Sequence, residues 1–429
     1  MPSVAFHTLG CKVNQYDTQA MLECFERAGY EVRPFDQPAD VYVINTCTVT
    51  GTGDKKSLNA VRRAQRLNPK ADIVIAGCLA QRDGEQLLAT GARLVIGASR
   101  RGEVVELLRL AQSENRQLAA VQRDILRIPF EPLTVSGDMD HTRAVIKIQE
   151  GCDRYCTYCI IPYVRGGIRS RAPKDIRAEA IRLSNAGFRE LVLTGIHLTS
   201  YGRDLEGETL LDGIRAARAP GVSRIRLGSL EPVAADEAFA RALRQIPEIC
   251  PQFHLALQSG SDTVLKRMRR RYTTAEFSRS AGFLREAFPG CALTTDVITG
   301  FPGETEEEFE QTLSFVRQIG FARLHVFPFS ARQGTPAARM GGQVPRAVRE
   351  QRARVLIAAG RETAKAWAEG QLGRVRPVLV EDLGPDGIPR GYTPEYAQTA
   401  VPGGAQGEIV PVRLVAYGED GVFRGERAD

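Results

Sequence analysis

The sequence predicts an α/β protein in three parts: an N-terminal doubly wound parallel α/β domain, a central partial (β/α)6 barrel and a small C-terminal β-barrel. Three observations carry this expectation. Short apolar, strand-like runs alternate with helix-length segments as far as residue 370, the rhythm of parallel sheets. From about residue 371 the rhythm gives way to brief runs separated by Gly and Pro turns. With 429 residues, 43 % apolar and 25 % charged, the chain is long enough for two or three cores.

In the first part, residues 1–135, the segments 4–11, 41–47, 73–78 and 94–97 read as strands. The helix after the first carries Ala20, Met21, Cys24, Phe25 and Ala28 on one face before Gly29 ends it. Cys11, Cys47 and Cys78 stand where strands end, the edge at which a parallel sheet binds ligands, and suggest a metal site drawn from three strands. Cys24, on an apolar helical face, and the isolated Cys250 and Cys291 read as small core residues. Residues 113–140 lose periodicity and gain turn formers, as a linker does.

Six strand-like runs in residues 141–370, at 143–149, 190–195, 224–227, 253–258, 293–298 and 324–327, predict the barrel. Directly after the first come Cys152, Cys156 and Cys159, three of the nine cysteines within eight residues. Three thiolates so spaced can hold three corners of an iron-sulfur cube and leave one iron open; zinc, or plain core cysteines, are the alternatives. The loop falls at the C-terminal mouth, where barrels keep their chemistry. His197, just past a strand end, reads as structural, and no Ser/His/Asp pattern proposes a nucleophile. Two basic runs, Arg165, Arg169 and Arg171, then Lys266, Arg267, Arg269, Arg270 and Arg271, lie near the expected rim and would suit an RNA backbone. The net charge of +6 permits such a partner. Nine cysteines without a secreted disulfide pattern, no leader-like N-terminus and no uncharged stretch of about 18 residues predict a cytoplasmic protein away from membranes.

The loop from Gly151 to Pro162, with Tyr158 before the last cysteine, resembles the Cys-x3-Cys-x-aromatic-Cys signature of the radical S-adenosylmethionine superfamily. The runs around Cys11 (8–18), Cys47 (44–50) and Cys78 (76–81) resemble the three N-terminal motifs of its methylthiotransferase family. The resemblance implies two 4Fe-4S clusters, an auxiliary one on Cys11, Cys47 and Cys78, and one on Cys152, Cys156 and Cys159. At the second, S-adenosylmethionine would yield a 5'-deoxyadenosyl radical. It also implies cofactor contacts from Tyr158, Glu231, Gln258, Ser259, Asp296 and Gly300; read bare, the segment around Gly300 and Gly303 is a strand-to-helix turn. The stretch around Arg332, Gly334, Thr335 and Pro336 resembles a family motif to which residue types assign no role.

The tail, residues 371–429, with strand-like runs at 375–380, 392–400, 409–417 and 422–424, resembles the RNA-binding TRAM domain. Its charge is −3, leaving +9 on the rest, so an RNA grip there would rest on aromatics such as Tyr392 and Tyr396. The motifs are most similar to the branch that inserts a methylthio group at C2 of N6-threonylcarbamoyladenosine, position 37 of tRNA. The isopentenyladenosine and ribosomal-protein aspartate branches are alternatives, as is a non-catalytic iron-sulfur RNA-binding protein. The expected partners are tRNA and a flavodoxin- or ferredoxin-type electron donor, with the chain a monomer.

Overall fold

The computed structural model describes residues 1–137 and 142–428. Residues 138–140 of the expected linker, residue 141 at the expected start of the central domain, and residue 429 lie outside them.

The N-terminal sheet contains β1 (Ser3–Thr8), β2 (Glu31–Arg33), β3 (Val41–Thr46), β4 (Asp72–Gly77), β5 (Leu94–Ile96) and β6 (Leu118–Ala120), all parallel, in the order β2-β1-β3-β4-β5-β6. β3 is buried at all six positions because helices cover both faces, which is why residues 41–44 read as a continuous apolar run. β2 and β6 have three residues each, too few to show a period. β6 corrects the linker expectation: Leu118–Ala120 pairs with β5 and belongs to the sheet.

The central strands are β7 (Arg143–Glu150), β8 (Arg169–Ser170), β9 (Glu190–Gly195), β10 (Arg224–Leu227), β11 (Gln252–His254), β12 (Ala292–Thr299) and β13 (Arg323–Pro328). β7, β9 and β10 pair in parallel, as do β11, β12 and β13, and the bridges Ile225 to Ile249 and Leu230 to Leu255 join the two groups. Six parallel strands thus run in chain order around an incomplete barrel, with the two-residue β8 antiparallel on the outer edge of β7. Leu191, Leu193, Ile225, Phe253, Leu255 and Leu293 pack outward into one core with the covering helices. The alternate positions, among them Arg143, Lys147, Glu190, Arg226, His254 and Asp296, fall on the inner face.

In the tail β14 (Val375–Leu383), β15 (Pro389–Tyr392), β16 (Gln398–Ala400), β17 (Ile409–Tyr417) and β18 (Phe423–Arg427) close a barrel in the order β14-β15-β16-β18-β17. The run expected at 392–400 is instead the β15-β16 hairpin, whose tip holds Tyr396 at φ +67°. This tip docks on the first residues of the central strands. Arg224 donates to the Tyr392 carbonyl (3.0 Å) and Arg226 to the Pro394 carbonyl (2.9 Å), while Arg143 pairs with Glu381 (2.6 Å). The small barrel therefore closes the end of the central barrel opposite its mouth. Among the described residues no helix is long and apolar enough to cross a membrane.

Candidate active site at the domain interface

Cys11, Cys47 and Cys78 follow β1, β3 and β4, adjacent strands beside the point where the strand order reverses. Gly10 (φ +108°) allows the first two loops to touch, since a Cβ there would lie 2.9 Å from Cys47 Cβ; one on Gly77 (φ +93°) would strike Asn45 Oδ1 at 2.4 Å. Side chains then stitch the loops together. Asn14 donates to the carbonyls of Leu9 (2.6 Å) and Thr46 (2.9 Å), Asn45 donates to the Asn14 carbonyl (2.9 Å), and Thr46 Oγ1 receives the N–H of Leu79 (3.2 Å). Asn14, Asn45 and Thr46 lie inside the family-like motifs, yet only their burial reveals this role.

The second triad sits in the loop after β7. Cys152 N–H donates to the Gly166 carbonyl (2.9 Å), Cys159 N–H to the Cys156 carbonyl (2.9 Å), and Thr157 N–H to the Met268 carbonyl (3.1 Å). Among the described residues, no triad closes tightly enough to chelate a single ion. The donor sets are all thiol, and burial pushes Cys78 and Cys152 up to about 11 and Cys159 up to about 12. Left free, these groups would keep their protons at neutral pH; iron would hold them as thiolates. Each triad also meets a buried cation. Arg165 Nε donates to Cys78 Sγ at 3.1 Å, and Arg270 Nη1 to Cys156 Sγ at 3.3 Å. Thiol donors with cationic N–H groups on sulfur fit an iron-sulfur cluster at each triad.

Tyr158, Gln258 and Asp296 share a cavity of about 280 Å³ with Cys159, Ile298 and Phe329. Gln258, at φ +69°, is held by its N–H to the Asp296 carbonyl (2.8 Å) and its carbonyl to Ile298 N–H (2.9 Å). Three residues expected to contact the cofactor do not line this cavity. Ser259 is fully buried with Oγ against Thr312 Oγ1 (3.2 Å), facing away from the cavity. Gly300 is covered by the Arg349 side chain and donates its N–H to Glu304 (2.7 Å). Glu231 clamps the cysteine loop through Arg154 (2.7 Å) and also meets His197 (3.4 Å) and Arg270 (3.6 Å). Burial alone would raise the Glu231 carboxyl, but the nearby His197 ring and the two arginines outweigh it and hold it at about 2. His197 Nδ1 lies 2.6 Å from Ser200 Oγ, while its Nε2 faces Glu231 beside the cysteine loop.

The arginine runs divide. Arg165, Arg169 and Arg171 are buried, which corrects their assignment to RNA: Arg169 donates to the Arg165 carbonyl (2.9 Å) and Arg171 to Glu179 (2.5 Å). Arg270 turns inward onto Cys156, and Arg267 pairs with Glu308 (2.6 Å). Lys266, Arg269 and Arg271 stay exposed. Tyr392 and Tyr396 stack on each other (4.5 Å) under the guanidiniums of Arg143 and Arg226, so their faces serve domain docking.

Sequence reasoning missed the joint between the domains. Arg165 donates to Asp17 (3.0 Å), Glu150 (2.5 Å) and Asn14, while Lys147 reaches Asp17 (2.5 Å) and Arg101 binds Asp17 and Glu150. Arg332 donates to Thr48 Oγ1 (2.7 Å) and Asp54 (2.8 Å) beside Cys47, which gives its motif a role. The available signal was Lys147 within the apolar stretch 144–148; Asp17, Arg101, Arg165 and Arg332 stand in polar or glycine-rich stretches that gave none.

Residues 3–97 match a family described as uncharacterized protein family UPF0004, and residues 146–316 match the radical SAM superfamily. The threonylcarbamoyladenosine tRNA methylthiotransferase MtaB of Bacillus subtilis is 43 % identical, covering 97 % of this chain and 95 % of that protein. MtaB of Thermotoga maritima is 35 % identical, with 99 % and 96 % covered. A tRNA-2-methylthio-N(6)-dimethylallyladenosine synthase of Symbiobacterium thermophilum is 33 % identical, with 97 % and 93 % covered. Among solved structures, the radical S-adenosylmethionine methyltransferase TsrM of Kitasatospora setae shares the fold at TM-score 0.56 and 17 % identity, over 79 % of this chain and 77 % of that one.

Proposed function

The chain belongs to the radical S-adenosylmethionine methylthiotransferases, in the threonylcarbamoyladenosine tRNA branch, and from that membership we propose that it replaces the C2 hydrogen of N6-threonylcarbamoyladenosine at tRNA position 37 with a methylthio group. The structural observation that supports this reading is the pair of all-cysteine sites on two domains, with Arg165, from the helix that follows the second site, donating to Cys78 of the first.

An iron-sulfur cluster on Cys152, Cys156 and Cys159, with S-adenosylmethionine, supplies a carbon-centred radical able to take a hydrogen that no base could remove. The chain's own residues arrange the site. Glu231 and Arg154 hold the cysteine loop, and Tyr158, Gln258 and Asp296 line the cavity beside Cys159 for the rest of the cofactor. Val49 and Thr50 close its other side, which ties cofactor binding to the domain that carries Cys47. We assign Cys11, Cys47 and Cys78 to a second 4Fe-4S cluster that presents sulfur, and a flavodoxin- or ferredoxin-type protein to electron delivery, the enzyme acting as a monomer.

Nucleoside mass analysis of tRNA from a strain lacking the gene tests the reading. The 2-methylthio form of threonylcarbamoyladenosine should vanish while its unmethylthiolated precursor accumulates. Loss of the dimethylallyl form instead would move the enzyme to that branch, and unchanged nucleosides would sink the proposal. Iron analysis addresses the second cluster: Cys11→Ala/Cys47→Ala/Cys78→Ala should retain about four of about eight irons per chain.

A further inference from the structure

We propose that the outer face of the helix Gly51–Leu67 is the track that grips the tRNA backbone beside the auxiliary triad; this deepens, and rests on, the reading above. Lys55, Lys56, Arg62, Arg63 and Arg66 are all exposed, while Ser57, Ala60, Val61 and Ala64 face the core. At about 100° per residue the five cations fall within a stripe about 120° wide. Among the described residues, none of the five lies within 4.0 Å of a carboxylate. The helix's acid, Asp54, is turned away and held by Arg82 and Arg332, each at 2.8 Å. An ordinary solvated face mixes both signs; this one presents a single sign, as a phosphate-binding face does. The stripe from Lys55 to Arg66 is about 16 Å long, enough for several consecutive phosphates.

A groove beside the helix points to the same ligand. It has a volume of about 670 Å³ and is lined by His7, Leu9, Phe35, Lys56, Arg63 and Arg66. The rings of His7 and Phe35 lie 4.8 Å apart, with the Arg63 guanidinium 5.7 Å over Phe35. Aromatic rings among cations are the means by which proteins hold single-stranded nucleic acid, the form of an anticodon loop. The track also leads to the chemistry: its helix begins four residues after Cys47, and Leu9 stands two before Cys11. It replaces the contacts expected from Arg165, Arg169, Arg171 and Arg270, which are committed to the interior.

The test uses the cluster-loaded full chain and tRNA bearing threonylcarbamoyladenosine without the methylthio group. The variant Lys55→Ala/Arg62→Ala/Arg66→Ala should bind at least about tenfold more weakly at low salt, and the slope of log affinity against log salt should become shallower by about 2 to 3. Lys266→Ala/Arg269→Ala/Arg271→Ala should flatten the slope less. An unchanged slope in the first variant, or a larger loss in the second, overturns the track. A second measurement needs no substitution: bound tRNA should protect Lys55 and Lys56 from acetylation, and unprotected lysines likewise overturn the proposal. If the wild-type chain does not bind this tRNA at all, the RNA reading falls together with the track; binding with an unchanged slope removes the track alone.

Discussion

Arg165 carries a cation from the helix that leaves the radical-site loop into the opposite domain, where it donates to Cys78 Sγ (3.1 Å) and Asp17 (3.0 Å). It therefore does two things at once, holding the domains in register and placing an N–H on a sulfur of the auxiliary triad. Hydrogen bonds to cluster sulfurs raise reduction potential. Arg165→Lys keeps the charge and loses the planar fork. In a chain also carrying Cys152→Ala, Cys156→Ala and Cys159→Ala, where iron loads the other site alone, this change should lower the midpoint potential in an EPR-monitored titration. The same potential in both chains would show that the bond does not reach the loaded cluster. Arg165→Met should cost about 3–5 kcal/mol of stability, because it strips a partner from buried Asp17 and Glu150.

At the scale of elements, much was legible because burial writes itself into composition. Residues 41–44 of β3 and 73–76 of β4 are apolar since helices cover both faces, and the placing of three cysteines at neighbouring strand ends was legible before any geometry was known. What stayed hidden was direction. Arg269 and Arg270 are neighbours in one basic run, but the backbone at Arg269 (φ +57°) sends one to solvent and the other to Cys156. Similarly, β6 was too short to carry a period, and the tyrosines of the tail gave no hint that a hairpin tip would turn them onto arginines. Tyr396 makes that last point testable. With Arg226 at 4.6 Å and Arg143 at 5.0 Å from its ring, Tyr396→Ala should lower stability by at least about 2 kcal/mol and the melting temperature by several degrees. The affinity for tRNA should stay within about twofold. A tenfold loss of affinity at an unchanged melting temperature would return the tyrosine to the RNA.

For the whole molecule, the three parts are joined at opposite ends of the central barrel, and the two joints differ in kind. The N-terminal domain is locked at the mouth by Asp17, Lys147, Arg101 and Arg165. The tail is docked at the far end through Glu190, which pairs with Arg226 (2.7 Å) and Arg224 (3.4 Å), the two arginines that bind the hairpin. Burial alone would raise the Glu190 carboxyl, but Arg226, Arg224 and Arg143 outweigh it and leave it below the usual range. A carboxylate lowered in the folded state contributes stability above its unfolded value of about 4.3, and loses it as pH falls toward the folded value. Glu381, across from Arg143, has the opposite sign: burial raises it, so its contribution grows as pH falls through that raised value. The joint should therefore hold or tighten slightly from pH 7 to about 5 and come apart below about 4. Trp367, the single tryptophan, donates to the Cys291 carbonyl (3.2 Å) and packs edge-on against Phe423, so its fluorescence reports on the tail. An acid-induced change in that signal should appear below about pH 4 in the native chain, and should be absent or displaced in Glu190→Gln. Gln cannot replace the charge, so that variant should already be less stable at neutral pH by about 3–5 kcal/mol. The same acid midpoint in both chains, or a Trp367 signal unmoved down to pH 3, would show that the tail is held by its apolar contacts rather than by Glu190.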